Sequence, residues 1–432
     1  MKRYPEYKES GVKWIGGIPK NWGIKRLKYV ADLNMGQSPP SEEYNSDQIG
    51  TPFLQGNAEF GLHHPIPKIY CSTAKKYAIL GDILLSIRAP VGAINIANQE
   101  YGIGRGLCAI RPQTNQLECR YAKYLLEVVR TGLHVVATGS TYNAVTVDDV
   151  SNLACVVPPF SEQIQIANFL DRKTEQIHQL IRYKEQKIEL LHEQRIALIN
   201  HAVTKGLNPN IEMKPSGVEW IGEIPKHWDI IKLRYLGELQ NGISKDSDSF
   251  GLGYPFLSYG DVYYNETLPA HVEGLVNSTK DDRERYSVLE RDIFFTRTSE
   301  TIAEIGISST CIKTIEDCVF SGFLIRFRNT SKVLTKEFSK YYFPSHLPRI
   351  FLAREMNIVT RSSLSQELLK RLPVLLPPID YQKEIASFLD EQTQKMDSMI
   401  EKENKQIQLL KEYRQSLISE AVTGKIDVRY KV

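Results

Sequence analysis

The stretch "VPPFSEQIQIANFLDRKTEQIHQLI" occupies Val157 to Ile181, and "LPPIDYQKEIASFLDEQTQKMDSMI" occupies Leu376 to Ile400. Pro158 and Pro377 stand 219 positions apart, and the correspondence continues without a gap to the "AVT" that begins at Ala202 and at Ala421. Proline is tolerated ahead of a helix but not inside one, so Pro158-Pro159 marks a start. Ser161 is suited to cap the helix, and Glu162 suits the positive end of its dipole. Neither Pro nor Gly follows until Gly206, which supplies a stop. The spacing predicts a helix of roughly 40 residues, about 60 Å long.

Its apolar residues recur every seven positions. One column reads Leu170, Ile177, Lys184, Leu191, Leu198, and the other Thr174, Ile181, Ile188, Arg195, Ala202. The second copy gives Leu389, Met396, Glu403, Leu410, Leu417 beside Thr393, Ile400, Ile407, Arg414, Ala421. A heptad stripe is a coiled-coil seam. Two helices with the same stripe and length are expected to pack on each other. Lys184 and Glu403 hold equivalent places, so opposite charges would favour pairing of the two different copies in an antiparallel arrangement.

A second phrase is also repeated. "SGVKWIGGIPKNW" (Ser10–Trp22) and "SGVEWIGEIPKHW" (Ser216–Trp228) agree at ten of thirteen positions and contain all four Trp residues of the chain. Their offset is 206, so the stretches between the two kinds of repeat differ in length. Weaker echoes survive inside them: "MGQSP" against "NGISK", "TPFLQGNAEF" against "YPFLSYGDVY", and "GDILLSIR" against "RDIFFTRT". The chain therefore carries two variants of one domain, each entered by a Trp phrase and left by a long helix. "GIKRLKYV" after Trp22 and "DIIKLRYL" after Trp228 read as the first strand of each. The Trp phrase reads as an ordered loop whose rings pack the join between domain and helix.

The chain has 432 residues, of which 42% are hydrophobic and 24% charged, with net charge +3. That is an ordinary globular composition with room for two or three domains. No apolar run is long enough to span a membrane, and the start lacks the apolar core of a signal peptide. Six Cys without a CxxC pair fit reduced thiols, not disulfides or zinc, so no metal is expected. Catalytic signatures fail one by one. "VPPF" lacks the Asp, Asn or Ser that an amino-methyltransferase tetrapeptide needs first. "TGK" at Thr423–Lys425 has no upstream phosphate loop. "EQK" and "ENK" lie mid-helix with no Pro-Asp partner. No nucleophile–base set is legible.

Taken together, the doubled Trp phrase, the "GDILLS" strand and "PPFSEQIQIANFLD" resemble the specificity subunit of type I restriction–modification enzymes. The match spans nearly the whole chain. The second copy departs from it where Tyr381 stands in place of Glu162. The resemblance implies an α+β fold: two pseudo-symmetric target recognition domains separated by a long antiparallel two-helix coiled coil. The expected segments are 1–157 (Trp phrase and first recognition domain), 158–206 (first long helix), 207–375 (second phrase and domain) and 376–432 (second helix and tail). It implies a cytoplasmic prokaryotic protein that catalyses nothing itself. Each domain would read half of a split asymmetric duplex DNA target, and the helices would set the spacer. Two methyltransferase subunits carrying S-adenosylmethionine, and two restriction subunits using ATP and Mg, would be its partners. The rival readings are a two-headed scaffold that binds protein and not DNA, and an enzyme with an unrecognised active site.

Base reading needs polar side chains that reach groove edges, and loops supply them. In the first domain the candidates are Gln37, Ser38, Gln55, Asn57, Arg88, Arg105, Ser140, Thr141, Tyr142 and Asn143. In the second they are Ser244, Lys245, Ser258, Tyr259, Asp261, Arg297, Thr298, Ser321, Thr360, Arg361, Ser362 and Ser363.

Overall fold

A computed structural model of the chain describes residues 2–61, 64–138, 145–298, 304–356 and 363–429. It has two compact units, Met1–Lys184 with Asn404–Val432, and Glu185–Glu403. This division cuts across the four contiguous segments, because each unit takes part of both long helices. The helices run Phe160–Lys205 and Ile379–Val422. The first starts one residue ahead of Ser161, which lies inside its first turn and does not cap it; instead the Pro159 carbonyl accepts the Glu162 and Gln163 amides. Gly206 ends that helix at φ +83, and a Cβ there would lie 2.8 Å from the Tyr381 hydroxyl.

The helix segments pack antiparallel within each unit. In the first, Lys184 donates to Gln406, while His178 and Ile181 line one cleft with Arg414 and Ile418. In the second, Lys187 Nζ lies 2.6 Å from Glu403 Oε1, and Arg195 lies 3.8 Å from Asp397. Lys187 and Gln406 are equivalent positions of the repeat, as are Lys184 and Glu403, so the two contacts are one contact made twice. Leu170, Ile177, Ile181, Leu191, Leu389, Met396, Glu403, Ile407 and Leu417 are buried. Ile188, Leu198, Ile400 and Leu410 are half-buried. Leu180 and Leu190, outside the columns, are 49% and 63% exposed. The seven-residue columns are therefore the covered face.

The polar members of the columns meet the mixed α/β part of each unit. Thr174 and Asp171 bond to the Tyr124 hydroxyl at 3.1 and 2.7 Å, and Thr393 and Asp390 bond to Tyr341 at 3.3 and 2.7 Å. Arg414 pairs with Glu127 at 3.2 Å, and Arg195 with Glu266 at 2.8 Å.

Both units share one sheet plan. The first holds an antiparallel sheet in the order Ile94–Ile96, Ile83–Ser86, Leu107–Pro112, Ala31–Met35. The second repeats it with Ser308–Thr310, Asp292–Thr296, Leu324–Asn329, Gly237–Asn241. A second sheet in each contains one parallel pair, Thr51–Leu54 with Tyr101–Ile103, and Phe250–Leu257 with Ile315–Phe320. The acid of each "DI" strand is buried in a bidentate pair, Asp82 with Arg111 and Asp292 with Arg328. Each domain is closed at its base: Gly23–Arg26 pairs with Ala154–Val157, and Asp229–Lys232 with Pro373–Leu376. The first strand thus lies beside the strand that feeds the helix.

The Trp phrase is more than a loop. Gly17–Pro19 pairs with Tyr7–Glu9, and Glu223–Pro225 with Met213–Pro215. Only its second Trp is core: Trp22 and Trp228 are fully buried, but Trp14 is 46% exposed and Trp220 lies half-buried against Phe351. Trp22 Nε1 donates to Glu162 Oε2 at 3.1 Å, and Tyr4 donates to Oε1 at 2.7 Å. Burial and this carboxylate push the Tyr4 phenol well above its usual range. Where Tyr381 replaces Glu162, the Trp228 indole N–H is buried without a partner among the described residues.

The glutamine beside Glu162 behaves identically in both copies. Gln163 Oε1 accepts the Glu118 amide at 2.8 Å, and its Nε2 donates to the Gln116 and Pro158 carbonyls at 3.0 and 2.9 Å. Gln382 accepts the Thr335 amide at 2.9 Å and donates to Val333 and Pro377 at 2.7 and 2.8 Å. Replacing either by Leu strands three backbone groups, each costing about 1–3 kcal/mol if left unpaired. Gln163→Leu and Gln382→Leu are each expected to lower the melting temperature measurably by calorimetry, whereas Gln165→Leu, two residues on and only half-buried, is not.

Candidate nucleic-acid interface

In the first unit three chain segments are locked together at one rim. The Gly36 and Gln37 amides bond to the Leu107 and Ile103 carbonyls, both at 2.9 Å. The Gly104 amide bonds to Leu54 O at 2.8 Å, and the Arg105 amide to Ser38 Oγ at 3.1 Å. This closeness requires glycine: a Cβ on Gly36 would lie 2.1 Å from the Gly104 carbonyl oxygen. The second unit repeats the join, with a Cβ on Gly242 falling 2.1 Å from the Ser321 oxygen.

Around the first join lies a cleft of about 500 Å³ lined by Ser38, Gln55, Asn57, Arg88 and Arg105, with Ser41, Tyr44 and Ser86. Five of the sequence candidates therefore meet in one place. Gln37 is exposed beside them but does not line the cleft. Arg88 and Arg105 are the only charged residues among the described residues of the lining, and both are exposed. No carboxylate, His or Cys is among the described residues that line it. Ser41 and Tyr44 escaped the sequence reading because they follow the Pro39-Pro40 break and carry no motif. Tyr44 stacks on Phe53 at 5.1 Å, which fixes its ring.

The second unit sorts its candidates differently. Lys245 is held by Asp282 at 2.9 Å, and that ammonium pulls the Asp282 carboxyl down to about 2. Its charge is committed to the helix at Lys280–Arg285. Ser258 caps the helix Tyr259–Tyr263, with Asp261 Oδ2 accepting from its amide and hydroxyl at 2.8 and 2.6 Å. Tyr259 stacks on Tyr263 at 5.7 Å. Ser321 is buried and accepts the Phe323 amide at 3.2 Å. These five serve local structure first. Ser244, Thr298 and Ser363 are exposed, and Thr298 and Ser363 form an isolated bridge. Arg297 is half-buried, with Nη1 3.5 Å from the Gly322 carbonyl. Ser140, Thr141, Tyr142 and Asn143, and Thr360, Arg361 and Ser362, lie outside the described residues.

A larger cleft of about 610 Å³ in the first unit shares no residue with this rim; Trp14, Glu127, His178, Ile181, Lys411 and Arg414 line it. Among the described residues, no cluster of His, Cys, Asp or Glu could hold a metal ion. Burial pushes the Cys155 thiol up to about 12, which makes it a poor nucleophile. No helix among the described residues is long and apolar enough to cross a membrane.

Comparison with known proteins places these features in a family. Residues 19–190 and 225–409 match the type I restriction modification DNA specificity domain. The putative type I restriction enzyme MjaX specificity subunit of Methanocaldococcus jannaschii is 35% identical over 202 residues, which are 46% of this chain and 46% of that protein. This chain thus spans about half the length of that relative, and 64% of the type I restriction enzyme EcoKI specificity subunit of Escherichia coli, at 24% identity over 70% of this chain. The MjaVIII specificity subunit of M. jannaschii is 23% identical, over 98% of this chain and 97% of that one. Among solved structures, a chain from work on the assembly and conformational transition of the type I R-M system superposes with a TM-score of 0.72. It is 18% identical and covers 95% of this chain and 99% of that chain. The HsdS subunit from Thermoanaerobacter tengcongensis gives a TM-score of 0.55 at 17% identity, covering 95% and 98%. With matched segments spanning most of its length and both copies of its repeat, the chain belongs to the type I restriction–modification DNA specificity family.

Proposed function

We propose that this chain is the non-catalytic specificity subunit of a type I restriction–modification complex, and that each unit reads one half of a split, asymmetric duplex DNA target. The observation that carries this reading is the first cleft. It gathers two exposed guanidinium groups, two amide side chains and the hydroxyls of Ser38, Ser41, Tyr44 and Ser86, with no carboxylate among the described residues of the lining to repel phosphate. Arg, Asn, Gln and Ser are the groups that pair with base edges and backbone oxygens. The rim of the second unit offers Ser244, Arg297, Thr298 and Ser363 in the corresponding region. Different side chains on one scaffold imply different half-sites.

The helices would set the length of the unread spacer and dock two methyltransferase subunits that carry S-adenosylmethionine. Two restriction subunits using ATP and Mg would complete the nuclease. Both activities then belong to partners, and the chain supplies the choice of sequence within the cytoplasm.

Binding of the chain, assembled with methyltransferase subunits, to cognate and scrambled duplexes tests this across a salt series. Affinity for both is expected to fall steeply with salt, as phosphate contacts release counterions. A preference for the cognate duplex should persist. Salt-independent binding, or none, would favour the protein-binding scaffold. Single variants then separate the halves. Arg88→Ala and Arg105→Ala are expected to weaken discrimination within the first half-site only, and Arg297→Ala within the second only. About 1–3 kcal/mol is the range for a good bidentate base contact. A uniform loss over all sequences with a flatter salt slope would instead mark phosphate contacts.

A further inference from the structure

We infer that Phe323 is an apolar base reader of the second unit, pressing its ring on a thymine methyl group in the DNA groove. This rests on the DNA-reading function proposed above. Phe323 is 62% exposed, although it sits on a turn with little freedom to move. The Gly322 amide bonds to Ile243 O at 2.8 Å, and the Leu324 amide to Ser321 O at 3.0 Å. The Phe323 amide bonds to Ser321 Oγ at 3.2 Å, and its carbonyl accepts the Arg297 amide at 2.9 Å. Four hydrogen bonds therefore fix the backbone that presents the ring.

The position lies among the polar candidates. Arg297 reaches the Gly322 carbonyl, and a Cβ on Gly322 would lie 2.6 Å from Ser244 Oγ. The fold does not require an aromatic there. In the first unit the Gly106 carbonyl accepts the Ile87 amide at 3.0 Å, as Phe323 accepts from Arg297. The next residues, Leu107 and Leu324, are both fully buried. Gly106 thus holds the equivalent place with no side chain, and a Cβ there would lie 2.6 Å from the Gln55 oxygen. A large ring left in water on a rigid turn, where the sister turn manages with glycine, serves something outside the chain. Thymine is the base that offers a methyl group in the major groove, and apolar side chains read it by contact. Burying one such group contributes enough for roughly a four-fold preference.

The test uses the assembled complex and a duplex carrying its mapped target. Phe323→Ala is expected to lower affinity for the second half-site about ten-fold or less. Preference within the first half-site and the salt slope should stay unchanged, which also reports an intact fold. Deoxyuridine is then substituted for each thymine of the second half-site in turn. One substitution should weaken wild-type binding by roughly four-fold and leave Phe323→Ala unaffected, because ring and methyl act as a pair; Phe323→Leu should retain part of the effect. If every deoxyuridine substitution acts equally on wild type and Phe323→Ala, the inference fails while the DNA-reading function stands. It also fails if Phe323→Ala loses the methyltransferase subunits with base preference intact, since the ring would then face protein. A wild-type complex indifferent to the second half-site would overturn both.

Discussion

One buried side-chain amide holds the mixed α/β domain of each unit to its long helix. Gln163 and Gln382 are fully buried, and a buried amide that left its groups unpaired would destabilise the fold. Each satisfies itself on two carbonyls and one amide. One carbonyl belongs to the Pro-Pro dipeptide just before its own helix, and the other groups belong to the segment that enters a helix of the domain. Helix start and domain are thereby fixed by a residue that can do nothing else there. The tyrosine contacts at Asp171 and Asp390 repeat the join about two turns further along. Since the rim residues lie on loops that leave strands of the same domain, their placement relative to the helix follows from these contacts.

The copies differ where the chain can tolerate it. In the first, Glu162 collects Tyr4, Trp22 and, at 3.7 Å, Arg429 from the C-terminal tail. In the second, Tyr381 turns its hydroxyl to the Leu207 amide at 2.8 Å and packs edge-on against Trp228, 6.1 Å between centroids. The carboxylate is replaced by an aromatic contact, and one indole N–H finds no partner among the described residues. The glutamine next door is unchanged, so the weld survives while its neighbour varies.

The sequence revealed repetition far better than polarity. The two helices, their seam and the doubled domain follow from periodicities and offsets that any register of packing must respect. The polar members of the seam, Thr174, Arg195, Arg414 and Thr393, interrupt the apolar columns; they are the positions that meet Tyr and Glu side chains of the domains. In sequence Glu162 suits only the helix dipole, because its partners, Tyr4 and Trp22, lie some 140 residues or more away in the chain. Among the rim candidates, Gln55, Asn57, Arg88 and Arg105 are separated in sequence but share a cleft. Ser258, Asp261 and Lys245 look equally suited to a base edge, yet capping and ion pairing claim them. Polarity marks the residues that need a partner; only the fold says whether that partner is internal.

The most direct test of one unit reading one half-site is an exchange. Residues 23–156 would be replaced by the matching segment of another family member, and the sequence methylated by the assembled enzyme mapped. The first half-site should change to that of the donor, with the second half-site and the spacer unaltered. A change in both half-sites, or in neither while the enzyme remains active, would contradict the account.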